Sequence, residues 1–210
     1  MDNYQRKGAA LVLCAPSGSG KTTLSRRLLV KYPRLSFSVS CTTRPPRPGE
    51  VEGRDYFFIP PERFKERIER HYFAEWAKVH GHYYGTPMES ASMAMEEGKD
   101  LLFDVDVQGA AQLKNTLPGA YFVFILPPSR QALEERLRRR ASENDESIRL
   151  RLSNALCELK EAYWFDAWII NDDLDQAFIT LCAVYECACI SPPLRPNFLQ
   201  QLIGEFQEFK

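Results

Sequence analysis

The stretch "CAPSGSGKTT", Cys14 to Thr23, sets one lysine and two threonines behind a run of small residues. It fits the phosphate-cradling pattern G-x-x-x-x-G-K-[ST] at Gly20, Lys21 and Thr22, with Ala15 in place of the first glycine. The chemistry of such a stretch is anion binding. Backbone N–H groups converge where a helix begins, and the helix dipole there also favours negative charge. Ala15, Pro16, Ser17, Gly18, Ser19, Gly20, Lys21, Thr22 and Thr23 are therefore expected to line a phosphate site. Lys21 is expected to reach the outer phosphates and the Thr22 hydroxyl to hold Mg²⁺. Pro16 biases Ala15 toward extended backbone, which alanine adopts freely. Alanine would cost about 1 kcal/mol or more only if that position needed a positive φ. The loop is expected to tolerate its alanine.

A second group lies in "SVSCTTRPPRPGEVEGRDYFF", residues 38–58. Arg44, Arg47 and Arg54 sit among Pro45, Pro46 and Pro48, with Tyr56 close behind. Guanidinium forks bind phosphate oxygens in pairs, and prolines reduce the entropy lost on ordering, so this loop suits a dianionic phosphate. In "LLFDVDV", Asp104 and Asp106 lie two apart on a predicted strand and are expected to project from one face at its C-terminal end. In "LEERLRRRASENDESIRLRL", Arg136 and Arg140 share a helical face, and Arg151 follows one loop and helix later. The flanking Glu134, Glu135, Glu143, Asp145 and Glu146 weigh against reading RLRRR as a nucleic-acid patch. No N-K-x-D base-reading motif occurs, so a GTPase is not indicated.

The elements that must carry these groups alternate. Strand-like apolar runs occupy 10–15, 35–40, 101–107, 121–126 and 167–171, and helical patterns occupy 20–32, 108–117, 129–140, 146–165 and 173–188. Near-continuous apolar strands between helices predict an α/β fold, a parallel sheet covered on both faces. Segment 41–98 breaks that rhythm and reads as an inserted subdomain. The chain of 210 residues suits one domain with an insertion and a lid. Its 27 basic and 28 acidic side chains leave a net charge of −1, without the electrostatic footprint of a nucleic-acid or membrane partner. No run is long and apolar enough for a membrane span, and "MDNYQRKGAALVLC" lacks the apolar core of a signal peptide, so a cytoplasmic location is expected. Six cysteines form no C-x-x-C pair, and His71, His80 and His82 lie far from the Cys182, Cys187 and Cys189 trio. Reduced thiols, not a zinc site, are expected.

Taken together, "APSGSGKTTL", "SVSCTTRPPRPGEVEGRDYFF", "FAEWAKVHGHYYGT", "LLFDVDVQGAAQLK" and "IINDDLDQA" resemble guanylate kinase from about residue 8 to 188. The resemblance implies a P-loop nucleoside-monophosphate-kinase-like three-layer fold. Its parts would be a core (1–40, 99–126, 153–190), a GMP-binding subdomain (41–98) and a helical lid (127–152). It implies transfer of the γ-phosphoryl group of ATP to GMP in purine nucleotide metabolism, with Mg²⁺ as cofactor and dGMP as a further acceptor. Bacterial members often carry alanine at the loop's first position, in accord with the steric argument.

By position, the resemblance assigns Ser40, Arg44, Arg47, Tyr56 and Tyr84 to the GMP phosphate, and Glu75, Thr86 and a carboxylate of "DVD" to guanine. Guanine presents N1–H and N2–H₂ donors beside an O6 acceptor, to which carboxylates and a hydroxyl are complementary. One reading gives Asp104 to Mg²⁺ and Asp106 to the base; the reverse assignment stands open beside it. Lys21, Arg47, Arg140 and Arg151 are the implied catalytic cations, and Asn171 in "INDD" matches a position near the donor adenine. The family's glycine after the Arg140 position is Ala141 here. Two alternatives are a non-catalytic binding module of this fold and a kinase for a ribose bisphosphate. The intact Lys21, Thr22, Arg140 and Arg151 weigh against the first, and the base-reading carboxylates against the second. In the tail 191–210, Phe198, Leu199, Leu202, Ile203 and Phe206 fall on one helical face, expected to dock on its own domain, with a dimer contact as the alternative; a monomer or homodimer follows.

Overall fold

A computed structural model describes residues 6–79, 81–140 and 145–207. The chain opens with β1 (Ala10–Cys14), α1 (Lys21–Lys31), β2 (Leu35–Phe37), β3 (Cys41–Thr42) and β4 (Phe57–Phe58). It continues through α2 (Pro61–Glu69), β5 (Phe73–Val79), β6 (His82–Pro87), α3 (Met88–Glu96), β7 (Asp100–Asp104) and α4 (Val107–Thr116). The remainder is β8 (Tyr121–Leu126), α5 (Arg130–Arg140), α6 (Asp145–Lys160), β9 (Ala167–Ile170), α7 (Leu174–Cys189) and α8 (Phe198–Gln207). The larger sheet has the order β2-β7-β1-β8-β9, every pair parallel.

Strand periodicity explains the layers. Alternate residues face opposite sides, so an all-apolar strand must be covered twice. Val12, Cys14, Phe103, Phe122 and Phe124 meet Ala91 of α3 and Ala110 and Leu113 of α4. Leu11, Leu13, Leu102, Val123 and Ile125 meet Leu24 and Leu28 of α1 and Leu181 of α7. β1 is central, so the loop after it leaves from the middle of the sheet's C-terminal edge, where open α/β sheets bind ligands.

The smaller sheet, β4-β3-β6-β5, lies within the inserted segment. Its own core stacks Phe64 of α2 on Phe73 and Tyr83, at ring separations of 4.4 and 5.3 Å. The insertion ends sooner in packing than residue 98, because Met88, Ala91, Ala94 and Met95 of α3 pack on the larger sheet.

Two sequence expectations are corrected. The strand expected over 101–107 stops at Asp104, and Asp106 is the N-cap of α4. Its carboxylate accepts the Gly109 N–H at 2.8 Å, so the chain turns into a helix where strand propensity alone would carry it on. The helix expected over 146–165 ends at Lys160, and a short 3₁₀ turn at Ala162–Trp164 brings Trp164 and Phe165 onto Phe122. α8 does form, and Phe198, Leu199, Leu202, Ile203 and Phe206 each keep a share of their surface exposed. The last residue anchored before it is Leu194, buried and accepting the Lys7 N–H.

Candidate active site

The loop between β1 and α1 owes its shape to two left-handed residues, Gly18 and Gly20, each with φ of 94°. Ala15 is not left-handed, so alanine is tolerated there. A methyl group on Gly20 would fall 2.2 Å from Asn171 Nδ2, and one on Gly18 would touch Leu137 of α5 at 3.0 Å. No side chain caps α1, which leaves its first N–H groups turned toward the loop. Buried Ser19 has an Oγ with no hydrogen-bond partner among the described residues. An orphaned hydroxyl beside uncapped amides fits an anion cradle.

Lys21 ion-pairs with Asp104 at the end of β7 and donates to the Val105 carbonyl at 3.1 Å. Burial alone would lower its pKa, but the Asp104 carboxylate outweighs burial and holds the ammonium above its usual value. Asn171 is buried, and its amide donates to the Ser19 carbonyl at 2.7 Å, so its side chain is spent on holding the loop. Arg136 donates to the Asn171 carbonyl at 2.8 Å, on the opposite side of that residue. Arg151 of α6 donates to Ser17 Oγ at 2.5 Å, so the helix after α5 already touches the loop. Arg140 ends α5; its side chain, the Ala141 turn, Glu143 and His80 lie outside the described residues.

Across the cleft, the two expected base-reading side chains Glu75 and Thr86 form one chain with Ser40, which was expected on the acceptor phosphate. Ser40 Oγ lies 3.1 Å from Thr86 Oγ1, which donates to Glu75 Oε1 at 2.7 Å. Glu75 is 4% exposed on β5, opposite Thr86 of β6. Burial pushes its pKa up to about 7; the Thr86 hydroxyl pulls it back in part, and the nearby Asp106 charge raises it further. Asp104 and Asp106 thus do not share a strand face. Asp104 faces Lys21 and the loop, whereas Asp106 begins α4 on the Glu75 side.

Arg44, Tyr56 and Tyr84 also converge. Arg44 Nε donates to the Tyr84 hydroxyl at 3.3 Å, and its guanidinium lies 5.4 Å from the Tyr56 ring centre. The two tyrosine rings are 6.0 Å apart. Arg44 is clasped in two hydrogen bonds by Glu50, which raises the guanidinium and lowers the carboxylate. Glu50 also accepts the Arg47 N–H at 2.7 Å, while the Arg47 side chain is exposed.

Two carboxylates in this region escaped the sequence reading. Glu50 sits inside the quoted "PGE", but its choice of Arg44 depends on the loop's fold. Glu158 of α6 is half-buried, with its pKa raised by burial, eased by Lys21 and raised again by Asp106. Nothing in its spacing marks it.

The family model described as guanylate kinase matches residues 7–187. Guanylate kinase of Nitratidesulfovibrio vulgaris is 54% identical over 199 residues, 95% of this chain and 96% of that protein. Guanylate kinase of Oleidesulfovibrio alaskensis is 52% identical over 202 residues, 96% of this chain and 98% of that protein. The crystal structure of guanylate kinase from Anaplasma phagocytophilum has a TM-score of 0.76 at 28% identity, with 97% of each chain covered.

Proposed function

The chain belongs to the guanylate kinase family, and from that premise we propose that the two half-sites above perform its reaction. The enzyme is an ATP:GMP phosphotransferase, giving ADP and GDP. The observation that carries the acceptor assignment is Glu75, buried and hydrogen-bonded to Thr86 beside Asp106. An ionised carboxylate accepts from N1–H and N2–H₂ of guanine, whereas adenine N1 would meet it lone pair to lone pair. A ribose bisphosphate needs no such group, which disfavours that alternative. We assign Ser40, Thr86 and Asp106 to the same base, with Arg44, Arg47, Tyr56 and Tyr84 on the acceptor phosphate. Glu50 then holds the Arg44 fork until phosphate replaces it.

We assign the ATP phosphates to residues 15–23. Lys21, Arg47, Arg140 and Arg151 would offset charge on the transferring group, so that positioning and electrostatics supply most of the rate. The acceptor's phosphate oxygen is nucleophilic as it stands and needs no general base. α5 and α6 would serve as the lid that excludes water, in keeping with the Arg151–Ser17 contact. Asn171 acts on adenine, in this reading, only through the loop it holds. The Thr22 hydroxyl and Asp104, both hard oxygen donors, fit Mg²⁺. No three His, Cys, Asp or Glu side chains cluster as metal ligands among the described residues, which suits an ion ligated mostly by substrate phosphates and water. When bound, Mg²⁺ neutralises phosphate charge.

dGMP as second acceptor, a monomeric or homodimeric state and a cytoplasmic location complete the proposal. Six free cysteines support a reducing compartment. No helix among the described residues is long and apolar enough to cross a membrane. A coupled assay of ADP release with ATP·Mg²⁺ and GMP, AMP or no acceptor tests the reading. Turnover with GMP alone is expected; activity with AMP equal to that with GMP would overturn it. Lys21→Ala is expected to abolish turnover while GMP binding, read by calorimetry, persists.

A further inference from the structure

β5 is an edge strand: β6 pairs with one side of it, and its other side faces α4. An edge strand presents unpaired N–H and C=O groups. Here α4 satisfies them with side chains. Gln112 Oε1 accepts the Trp76 N–H at 3.0 Å, and Gln112 Nε2 donates to the Trp76 carbonyl at 2.8 Å. Thr116 Oγ1 donates to the Ala74 carbonyl at 2.8 Å. The carboxamide thus mimics the donor–acceptor pair of a neighbouring strand at Trp76, and Thr116 holds Ala74, the residue on the other side of Glu75.

Glu75 is sensitive to this support. Its strand is irregular, with a register shift between Phe73 and Glu75. α4 approaches so closely that a methyl group on Gly109 would lie 2.8 Å from Glu75 Oε2. The same helix begins at Asp106, whose carboxylate caps it on Gly109 N–H. One rigid element therefore sets the spacing between the two carboxylates, provided that the clamp keeps β5 against it. We propose that Gln112 is a positioning residue for base recognition, fixing Glu75 at the distance from Asp106 that guanine requires; this rests on the reading of Glu75 as the guanine acceptor.

The test compares Gln112→Ala, Gln112→Glu and Glu75→Gln for KM and kcat with GMP and with IMP, which lacks the 2-amino group, and for KM of ATP. Gln112→Ala is expected to raise KM for GMP about tenfold, the worth of two ordinary hydrogen bonds. The preference for GMP over IMP should shrink in step, with KM for ATP within twofold of wild type. Gln112→Glu keeps the acceptor for Trp76 N–H but not the donor, and should fall between. In Glu75→Gln, adding Gln112→Ala should cost little more, because the positioned group is already gone. Equal losses for GMP and ATP with a lowered unfolding temperature, or an unchanged GMP/IMP preference, would overturn the proposal. An unchanged GMP/IMP preference in Glu75→Gln itself would instead sink the reading of Glu75.

Discussion

At the scale of single residues, the base-reading role proposed for Glu75 sets recognition against stability. Folding places this carboxyl at 4% exposure, with the Thr86 hydroxyl as its hydrogen-bond donor, and pushes its pKa from 4.5 up to about 7. The sign follows from linkage. Between those two values the folded protein holds a proton that the unfolded chain has released, so stability from this group is present below pH 4.5 and lost as pH rises through 7. The loss reaches at most about 3 kcal/mol above pH 8. Glu75→Gln, which cannot ionise, should therefore raise the unfolding temperature at pH 8 by several degrees and leave it unchanged at pH 4. Base binding should run the other way, since guanine needs the ionised acceptor. Affinity for guanosine, which has no phosphate to titrate, should level off above pH 8 and weaken about tenfold at pH 6. A flat guanosine affinity from pH 6 to 8 would show that the free site already holds an ionised carboxylate. Glu75 was singled out through the family resemblance, with guanine's donors as chemical support, but its burial depends on the meeting of β5, β6 and α4, which no local pattern carries.

At the scale of elements, legibility tracks whether a backbone conformation is written in the residue that adopts it. The loop after β1 was readable because φ of 94° at Gly18 and Gly20 demands glycine, and Ala15 was readable as harmless because it precedes Pro16. The contrast predicts opposite outcomes for the same change in size. Gly20→Ala brings both positive-φ strain and a 2.2 Å clash with Asn171 Nδ2, the group that ties the loop to β9 through Ser19. Turnover should fall by about 100-fold or more, in line with misplacing a phosphate cradle by roughly an ångström. Ala15→Gly should leave kcat within twofold and cost stability only through the freer unfolded chain, about 0.4–1 kcal/mol. Steady-state kinetics on both variants decides it, and near-normal turnover of Gly20→Ala would mean that the loop relaxes without loss. The aspartates of β7 were misread for the reciprocal reason. Val105 and Asp106 look like strand by composition, yet an aspartate three residues before an available N–H is also a helix cap, and capping wins here. Asp104 and Asp106 consequently point to different half-sites. The amphipathic period of α8 was equally plain, and the helix forms where that period placed it.

At the scale of the whole molecule, the parallel sheet separates chemistry from anchorage. The loop, Asp104 and the Arg151–Ser17 contact lie at the C-terminal ends of the strands, while Asp100 opens β7 at the other end. That carboxylate is fully buried and, among the described residues, takes five hydrogen bonds: two from Arg6, one each from the Ala9 N–H and the Tyr185 hydroxyl, and a longer one from the Cys189 thiol. Through it, the segment before β1, the start of β7 and α7 are tied at one point. Burial would raise its pKa, but the Arg6 and Tyr185 hydrogen bonds, with Ala9, outweigh burial and hold it below the ordinary carboxylate value. A depressed carboxylate contributes stability above its unfolded pKa of about 4, lost as pH falls through the folded value. Its slope with pH is thus opposite to that of Glu75, so from these two groups alone stability is greatest near about pH 4 to 4.5, above the titration of Asp100 and below that of Glu75. Removing Arg6 should leave an uncompensated buried charge, costing about 3–5 kcal/mol. For Arg6→Ala the unfolding temperature at pH 7 should drop by about ten degrees, and acid unfolding should begin at a higher pH than in the wild type, because Asp100 without its guanidinium takes up a proton sooner. Turnover at 25 °C and KM for GMP should hold within twofold, since the cluster lies at the opposite end of β7 from Asp104 and the five hydrogen bonds to Asp100 reach no side chain of either half-site. A variant with the wild-type acid limb would show that Tyr185 and Ala9 suffice to keep Asp100 ionised; a variant that is stable yet slow would show that the two ends of the sheet are coupled.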